Sequence, residues 1–438
     1  MMLRRFCFLG AMLAVIGGAL ADSFPSSRQA ADGTYRVPIY INPSVYGPSK
    51  YHIYVGIDGG PMLPYLFDTG APYFMSLIGG PGGTPTANFS FGDGYLTYSY
   101  FPEATVVRFG EQGKAQAIVS TRNVNVARVA QINGVTAPAG PLADGTYGDF
   151  GAGLYGTSAL ATALTQVPLT AGLKVGYVVD LAGKNAGSGV LTLGLSPLMV
   201  ANMRNSPGAI TMPMSRSSAR IPTATRLIPG YNKAQVAGTQ VQFVHHNQAH
   251  ALPLPTVFDT GGGPNSIIYD SGFGNITPTS LAITYNGRTV VQTGALTSWG
   301  GTPLVIDTTF GGPRVNPGGW IFQQNVIMFD VEDGALTIVP ASGTSPATFP
   351  PARSITVVAL GNGRYELSGR LTDPNGLQAA GLLVLEGSKS KMYRARVRGN
   401  GWVVTGVQPF FLKSTLEFEL HILDKQGQTT WRKYRVNL

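Results

Sequence analysis

The chain has 438 residues, with 31 Lys+Arg, 22 Asp+Glu, 5 His and a single Cys. Charged residues make up 12% against about 25% in an average domain, which excludes a coiled coil, a charged tail or a nucleic-acid arm. Its 58 Gly and 31 Pro, set between short apolar runs in a chain that is 44% hydrophobic, read as an all-β protein with many turns and an ample core.

Residues 1–21 read as an export signal. Arg4 and Arg5 form a positive n-region, the run from Phe6 to Leu20 carries no charge, and Ala19-Leu20-Ala21 is a small-x-small cleavage pattern before Asp22. The arginine pair also admits twin-arginine export. The mature chain, cut after Ala21, is therefore expected to be secreted or periplasmic. It keeps no cysteine once Cys7 is lost, so disulfides and thiolate sites are excluded. No other stretch approaches the ~18 uninterrupted apolar residues of a membrane span.

A short N-terminal segment, 22–34, leads into strands. Runs rich in β-branched and aromatic residues at 35–41, 51–57, 63–67, 175–179, 189–194, 240–244 and 326–329 end at Gly, Asp or Pro. The best helical signal is the run 158–164. Charge then marks a boundary. Residues 22–352 carry 16 Lys+Arg and 16 Asp+Glu, whereas 353–438 carry 13 against 6. The change falls in a Pro/Ser/Gly linker, 341–354. Beyond it, 355–438 holds strand-like runs at 355–360, 382–385, 393–398, 416–423 and 431–436, with turns at 373–376 and 424–427. That density of short strands predicts a basic immunoglobulin-like β-sandwich. Its arginine-rich strands either form a solvated face or dock an anionic envelope surface such as glycolipid or cell-wall polymer.

The chemistry lies in a repeated tetrapeptide. Phe67-Asp68-Thr69-Gly70 and Phe258-Asp259-Thr260-Gly261 each follow an apolar strand and precede small residues and then apolar ones. A chain of this size holds on the order of 0.1 copies of Asp-Thr-Gly by chance, so two copies in matching contexts are a signal. Each half of a two-lobed molecule can supply one carboxylate. Asp68 and Asp259, brought to about 3 Å, cannot both ionise cheaply and share one proton. The ionised partner then takes a proton from bound water while the protonated one donates to a carbonyl oxygen. Thr69 and Thr260 are expected to cross-link the loops through their hydroxyls, and Gly70 and Gly261 to permit close backbone approach. This chemistry calls for no metal and no cofactor.

These residues resemble the pepsin-like family of two-lobed aspartic peptidases, of bacterial or nepenthesin-like type with an added C-terminal sandwich. The flap turn of that family is similar to Phe91-Gly92-Asp93-Gly94, and its segment beside the first catalytic loop is similar to Gly153-Leu154-Tyr155-Gly156. The stretches 319–330 and 334–340 resemble the closing strands of the second lobe. The resemblance implies an all-β bilobal fold with a cleft between an N-terminal lobe, 35–200, and a C-terminal lobe, 201–340. It further implies a polypeptide substrate covered by Phe91, Gly92, Asp93 and Gly94, and a monomer.

The chain departs from the family in three ways. Phe91 and Met75 stand where the family has a hydrogen-bonded Tyr and Trp, so the flap is expected to be less well fixed. Ala71 and Gly262 supply no hydroxyl to the carboxylates, which predicts an upward shift of the pair's titration and a mildly acidic optimum. With only 22–34 ahead of the first strand, activity is expected without removal of a prosegment.

Other motifs carry little. Gly151-Ala152-Gly153-Leu154-Tyr155-Gly156 matches G-x-G-x-x-G but lacks a βαβ context. His245, His246 and His250 have a metal-like spacing on a segment that reads as strand and loop rather than helix. Gly-x-Ser-x-Gly does not occur. Two function classes remain: an exported aspartic endopeptidase, and a catalytically weak or inactive binding or inhibitor protein of the cell envelope on the same fold.

Overall fold

Almost every regular element is a strand, as the punctuated apolar runs require. The computed structural model describes residues 29–44, 47–91, 96–156, 159–182, 187–245, 248–262, 267–269, 281–293, 313–319, 321–340, 352–371, 377–386, 389–409, 414–424 and 429–438. The export signal at 1–21, the flap residues Gly92, Asp93 and Gly94, His246, most of the linker and the turn at 373–376 lie outside the described residues. No described helix is long and apolar enough to cross a membrane.

Strand Tyr35–Ser44 pairs antiparallel with Gly187–Leu195, which pairs in turn with Lys174–Asp180. Lys174–Asp180 crosses to the second half by pairing with Asn325–Asp330 through Val178↔Met328. Asn325–Asp330 then pairs with Ala335–Pro340, and that strand with the start of Ile210–Pro222. The two crossing strands carry long buried stretches, Gly176–Val179 and Ile327–Asp330, so they read as unbroken apolar runs rather than as alternating ones. Tyr177 stacks on Phe329 with ring centroids 4.7 Å apart. One core cluster consequently extends from Val37 through Phe150 to Phe258 and Ile338.

A unit that occurs twice holds the Asp-Thr-Gly loops. In the first half, Leu63–Asp68 runs parallel to Gly148–Gly151 in register Leu66↔Asp149 to Asp68↔Gly151, and Phe74–Ser76 returns antiparallel to the same strand. In the second half, Thr256–Val257 runs parallel to Arg314–Asn316 through Thr256↔Val315, and Ile267–Tyr269 returns antiparallel. A parallel partner cannot come from a tight hairpin, so each loop is braced by chain distant in sequence.

Among the described residues helix is scarce, and it lies away from the best helical signal of the sequence. The described part of the run 158–164, residues 159–164, forms no α-helix: a 3-10 turn at Ala163–Gln166 forms, capped by Thr162 and ended where Val167 precedes Pro168. Every residue from Leu160 to Val167 is buried, so no amphipathic face exists to support an α-helix. The longer helix is Pro197–Arg204, started by Ser196, whose Oγ accepts from Met199 N at 3.2 Å, and by Pro197 in the first turn. Its last-turn Arg204 donates to the buried Asp330 at 2.8 Å. Ile321–Gln324 adds one helical turn inside the stretch that resembles closing strands.

The C-terminal module forms two four-stranded sheets. One orders Thr356–Gly361, Arg364–Arg370, Gly401–Val407 and Arg396–Arg398; the other orders Lys389–Arg394, Leu377–Glu386, Thr415–Asp424 and Thr429–Asn437. The strand order is first-second-sixth-fifth facing fourth-third-seventh-eighth, that of an immunoglobulin-type sandwich with one extra edge strand. Leu367, Trp402, Leu382, Phe418 and Leu420 form a core of its own. The run at 393–398, read as one strand, divides at Ala395 between the two sheets, with Arg394, Arg396 and Arg398 exposed.

Candidate active site

The two Asp-Thr-Gly loops meet and lock each other. Thr69 N donates to Thr260 Oγ1 at 3.0 Å, and Thr260 N donates to Thr69 Oγ1 at 3.0 Å. Each hydroxyl passes its own proton on across the junction: Thr69 Oγ1 donates to the Phe258 carbonyl and Thr260 Oγ1 to the Phe67 carbonyl, both at 2.6 Å. Both threonines are buried, so all four bonds are shielded from water. The expected cross-link is present, and it is reciprocal.

Within each loop the aspartate folds back on its own backbone. Asp68 Oδ1 accepts from Gly70 N at 2.6 Å and Ala71 N at 3.0 Å, and Asp259 Oδ1 accepts from Gly261 N and Gly262 N at 2.9 Å each. The two carboxyls come within hydrogen-bonding reach of each other. A methyl group at Gly70 would lie 2.4 Å from Asp259 Cγ, and one at Gly261 would lie 2.2 Å from Asp68 Cγ. The glycines are thus required by close approach rather than by an unusual backbone angle.

Burial pushes Asp68 well above the usual carboxylate range, and the neighbouring Asp259 pushes it further. The departure at Ala71 and Gly262 is offset at one of the two sites. Asn316, 8% exposed, donates Nδ2 to Asp259 Oδ2 at 2.7 Å and is itself oriented by Gly318 N donating to its Oδ1 at 2.9 Å. Asp149, 2% exposed, stands beside Asp68. Burial raises its carboxyl, the Asp68 contact lowers it, and Asp259 raises it again. Neither residue was singled out from sequence, because both reach the loops through parallel pairing that leaves no local pattern.

The segment Gly153-Leu154-Tyr155-Gly156 lies against the first loop, but the strand paired with it begins earlier, at Gly148-Asp149-Phe150-Gly151. The later residues brace the turn: Gly153 N donates to the Ala71 carbonyl at 2.7 Å and Tyr155 Oη to the Gly70 carbonyl at 2.8 Å. Phe91 stands on the flap stem, packed edge-to-face on Phe89 and Tyr98 at 5.1 and 5.2 Å. Met75 is fully buried in the same cluster. A polar tie joins the first loop to the hairpin that leads to the flap residues. Tyr73, just past the first loop, shares a 2.6 Å hydroxyl hydrogen bond with Tyr100 on the flap strand Thr97–Gly110. His250 stacks on Phe243 at 5.1 Å across a β-hairpin, in a register that pairs His245 with Gln248.

No protein-family model matches the chain, and no curated protein matches it. Among solved structures, that of an aspartic proteinase from Irpex lacteus is similar, with a TM-score of 0.44 and 13% identity over 71% of this chain and 98% of that one. The strand pairings and the loop geometry, independently of that likeness, define the two-lobed all-β architecture described above.

Proposed function

We propose that the protein is a pepsin-like aspartic endopeptidase, exported after removal of residues 1–21, in which Asp68 and Asp259 hydrolyse peptide bonds of a polypeptide substrate. The observation that carries this reading is the reciprocal threonine cross-link, which holds a buried carboxyl, Asp68, against a half-buried one, Asp259, at an electrostatic cost that a plain scaffold has no reason to bear.

One carboxyl of the pair holds the shared proton, and the other is ionised. Water between them attacks the scissile carbonyl carbon as the ionised carboxylate takes its proton and the protonated carboxyl gives its own to the carbonyl oxygen. The resulting gem-diol collapses when one hydroxyl proton returns to a carboxylate, the amide nitrogen is protonated by the other carboxyl, and the C–N bond breaks. The upward push on Asp68 from burial supports an optimum less acidic than that of a gastric pepsin.

The test is cleavage of a denatured protein across roughly pH 3–7, the span available to a carboxyl pair, with and without a statine-type inhibitor that mimics the gem-diol. Inhibitor-sensitive cleavage peaking above about pH 3 supports the reading. Inhibitor binding without cleavage makes the protein a binding protein on this fold. The Tyr73–Tyr100 tie adds a specific expectation. Tyr73→Phe removes one hydrogen bond between loop and flap, so KM is expected to rise roughly 2- to 10-fold with kcat little changed. An unaltered KM in steady-state assays would detach this bond from flap closure.

A further inference from the structure

The twofold repeat of the loop unit places Asp149 and Asn316 in equivalent positions. One residue beyond the parallel pair Thr256↔Val315, Asn316 stands level with Val257, two residues before Asp259. Asp149 pairs with Leu66, two residues before Asp68. The chemistry at the two places differs. Asn316 offers Asp259 an amide N–H at 2.7 Å, whereas Asp149 meets Asp68 with a second carboxyl.

Asp149 is buried, and neither of its oxygens has a donor among the described residues. Two carboxylates in contact with no donor between them repel; the contact becomes a hydrogen bond only when one carries a proton. Asp68 already accepts two backbone N–H groups, which suit a charged oxygen, while Asp149 accepts none. Most of the other groups bearing on Asp149 oppose its charge, and Lys50 favours it. Asp259 and Asp144 are acidic, Tyr98 and Tyr155 are buried or half-buried phenols, and the cation Lys50 is exposed and 3.3 Å from Asp144.

We propose that Asp149 keeps its proton through the acid and neutral range and donates its O–H to Asp68, positioning the first carboxyl as the Asn316 amide positions the second. This rests on reading Asp68 and Asp259 as the acid–base pair. Three carboxyls then hold two protons: one shared across the pair, one resident on Asp149. The hydroxyls missing at Ala71 and Gly262 are thereby replaced, at each loop, by a donor from the braced strand.

Two measurements test this, one of them independent of activity. The infrared difference spectrum between wild type and Asp149→Asn at neutral pH is expected to show a protonated carboxylic acid carbonyl lost in the variant; loss of an ionised carboxylate band in its place overturns the proposal. In pH–rate profiles of kcat/KM, Asp149→Asn, still a neutral donor, is expected to keep the acid limb where wild type has it. Asp149→Leu removes the donor from ionised Asp68 and is expected to move that limb upward by about one pH unit, a tenfold loss on the acid side. An acid limb that moves downward in Asp149→Asn means that a charge was removed, and the proposal fails. If wild type cleaves nothing while the acid carbonyl band is present, the peptidase reading falls and the protonated Asp149 stands.

Discussion

Asp68→Asn and Asp259→Asn are each expected to lower kcat/KM on a peptide substrate by about 10⁴-fold, the upper end of what a positioned acid or base contributes. An amide can still accept the Gly70 and Ala71, or Gly261 and Gly262, N–H groups, so the loop keeps its shape. It cannot take a proton from water, nor hold one jointly with its partner. Asp68→Asn carries a second expectation, on stability. Burial, reinforced by Asp259, raises the folded-state pKa of Asp68 above its unfolded value. A raised carboxyl contributes stability that is complete below the unfolded pKa and is lost as pH rises through the folded one. The neutral variant escapes that loss, so its thermal midpoint is expected to gain on wild type between about pH 3 and pH 7. Parallel curves for the two proteins over that range would mean that Asp68 is not a strained buried charge.

Gly261→Ala is expected to cost at least about 10² in kcat, since misplacing a reacting group by 1 Å already has that effect. The new methyl would sit 2.2 Å from Asp68 Cγ, and the loop that carries it cannot withdraw because Thr69 and Thr260 pin it from both sides. The carboxyls must spread or the cross-link must break. Overpacking of this kind costs about 1–3 kcal/mol, a loss that leaves most domains folded. Gly70→Ala, 2.4 Å from Asp259 Cγ, should behave alike, whereas Gly140→Ala places its methyl in open space and should leave kcat unchanged. Full activity in Gly261→Ala would show that the carboxyls do not work at this separation.

Much of the site was legible in the chain itself. Two Asp-Thr-Gly turns in equal contexts state that one loop is needed from each half. Threonine and glycine at those places are explained by the same close approach that the geometry displays. The sandwich, too, could be read from the spacing of its apolar runs. The helix expected at 158–164 shows where local reading fails. A run of small apolar residues fits a helix and a buried turn equally well, and burial on all sides decided for the turn. Ser196-Pro197, a cap followed by a helix-opening proline, was a readable signal for the helix that does form.

By itself, then, the sequence determined the strand-rich architecture, the pairing of Asp68 with Asp259 and the threonine lock, because each is written in local composition or in a repeated motif. The tertiary structure alone decided the company those carboxyls keep. Asn316 reaches Asp259 across 57 residues, and Asp149 reaches Asp68 through a parallel strand that no hairpin joins to it. Parallel pairing is set by the packing of the whole sheet, so neither neighbour leaves a periodic trace in the chain. The proton inventory of the site therefore belongs to the fold.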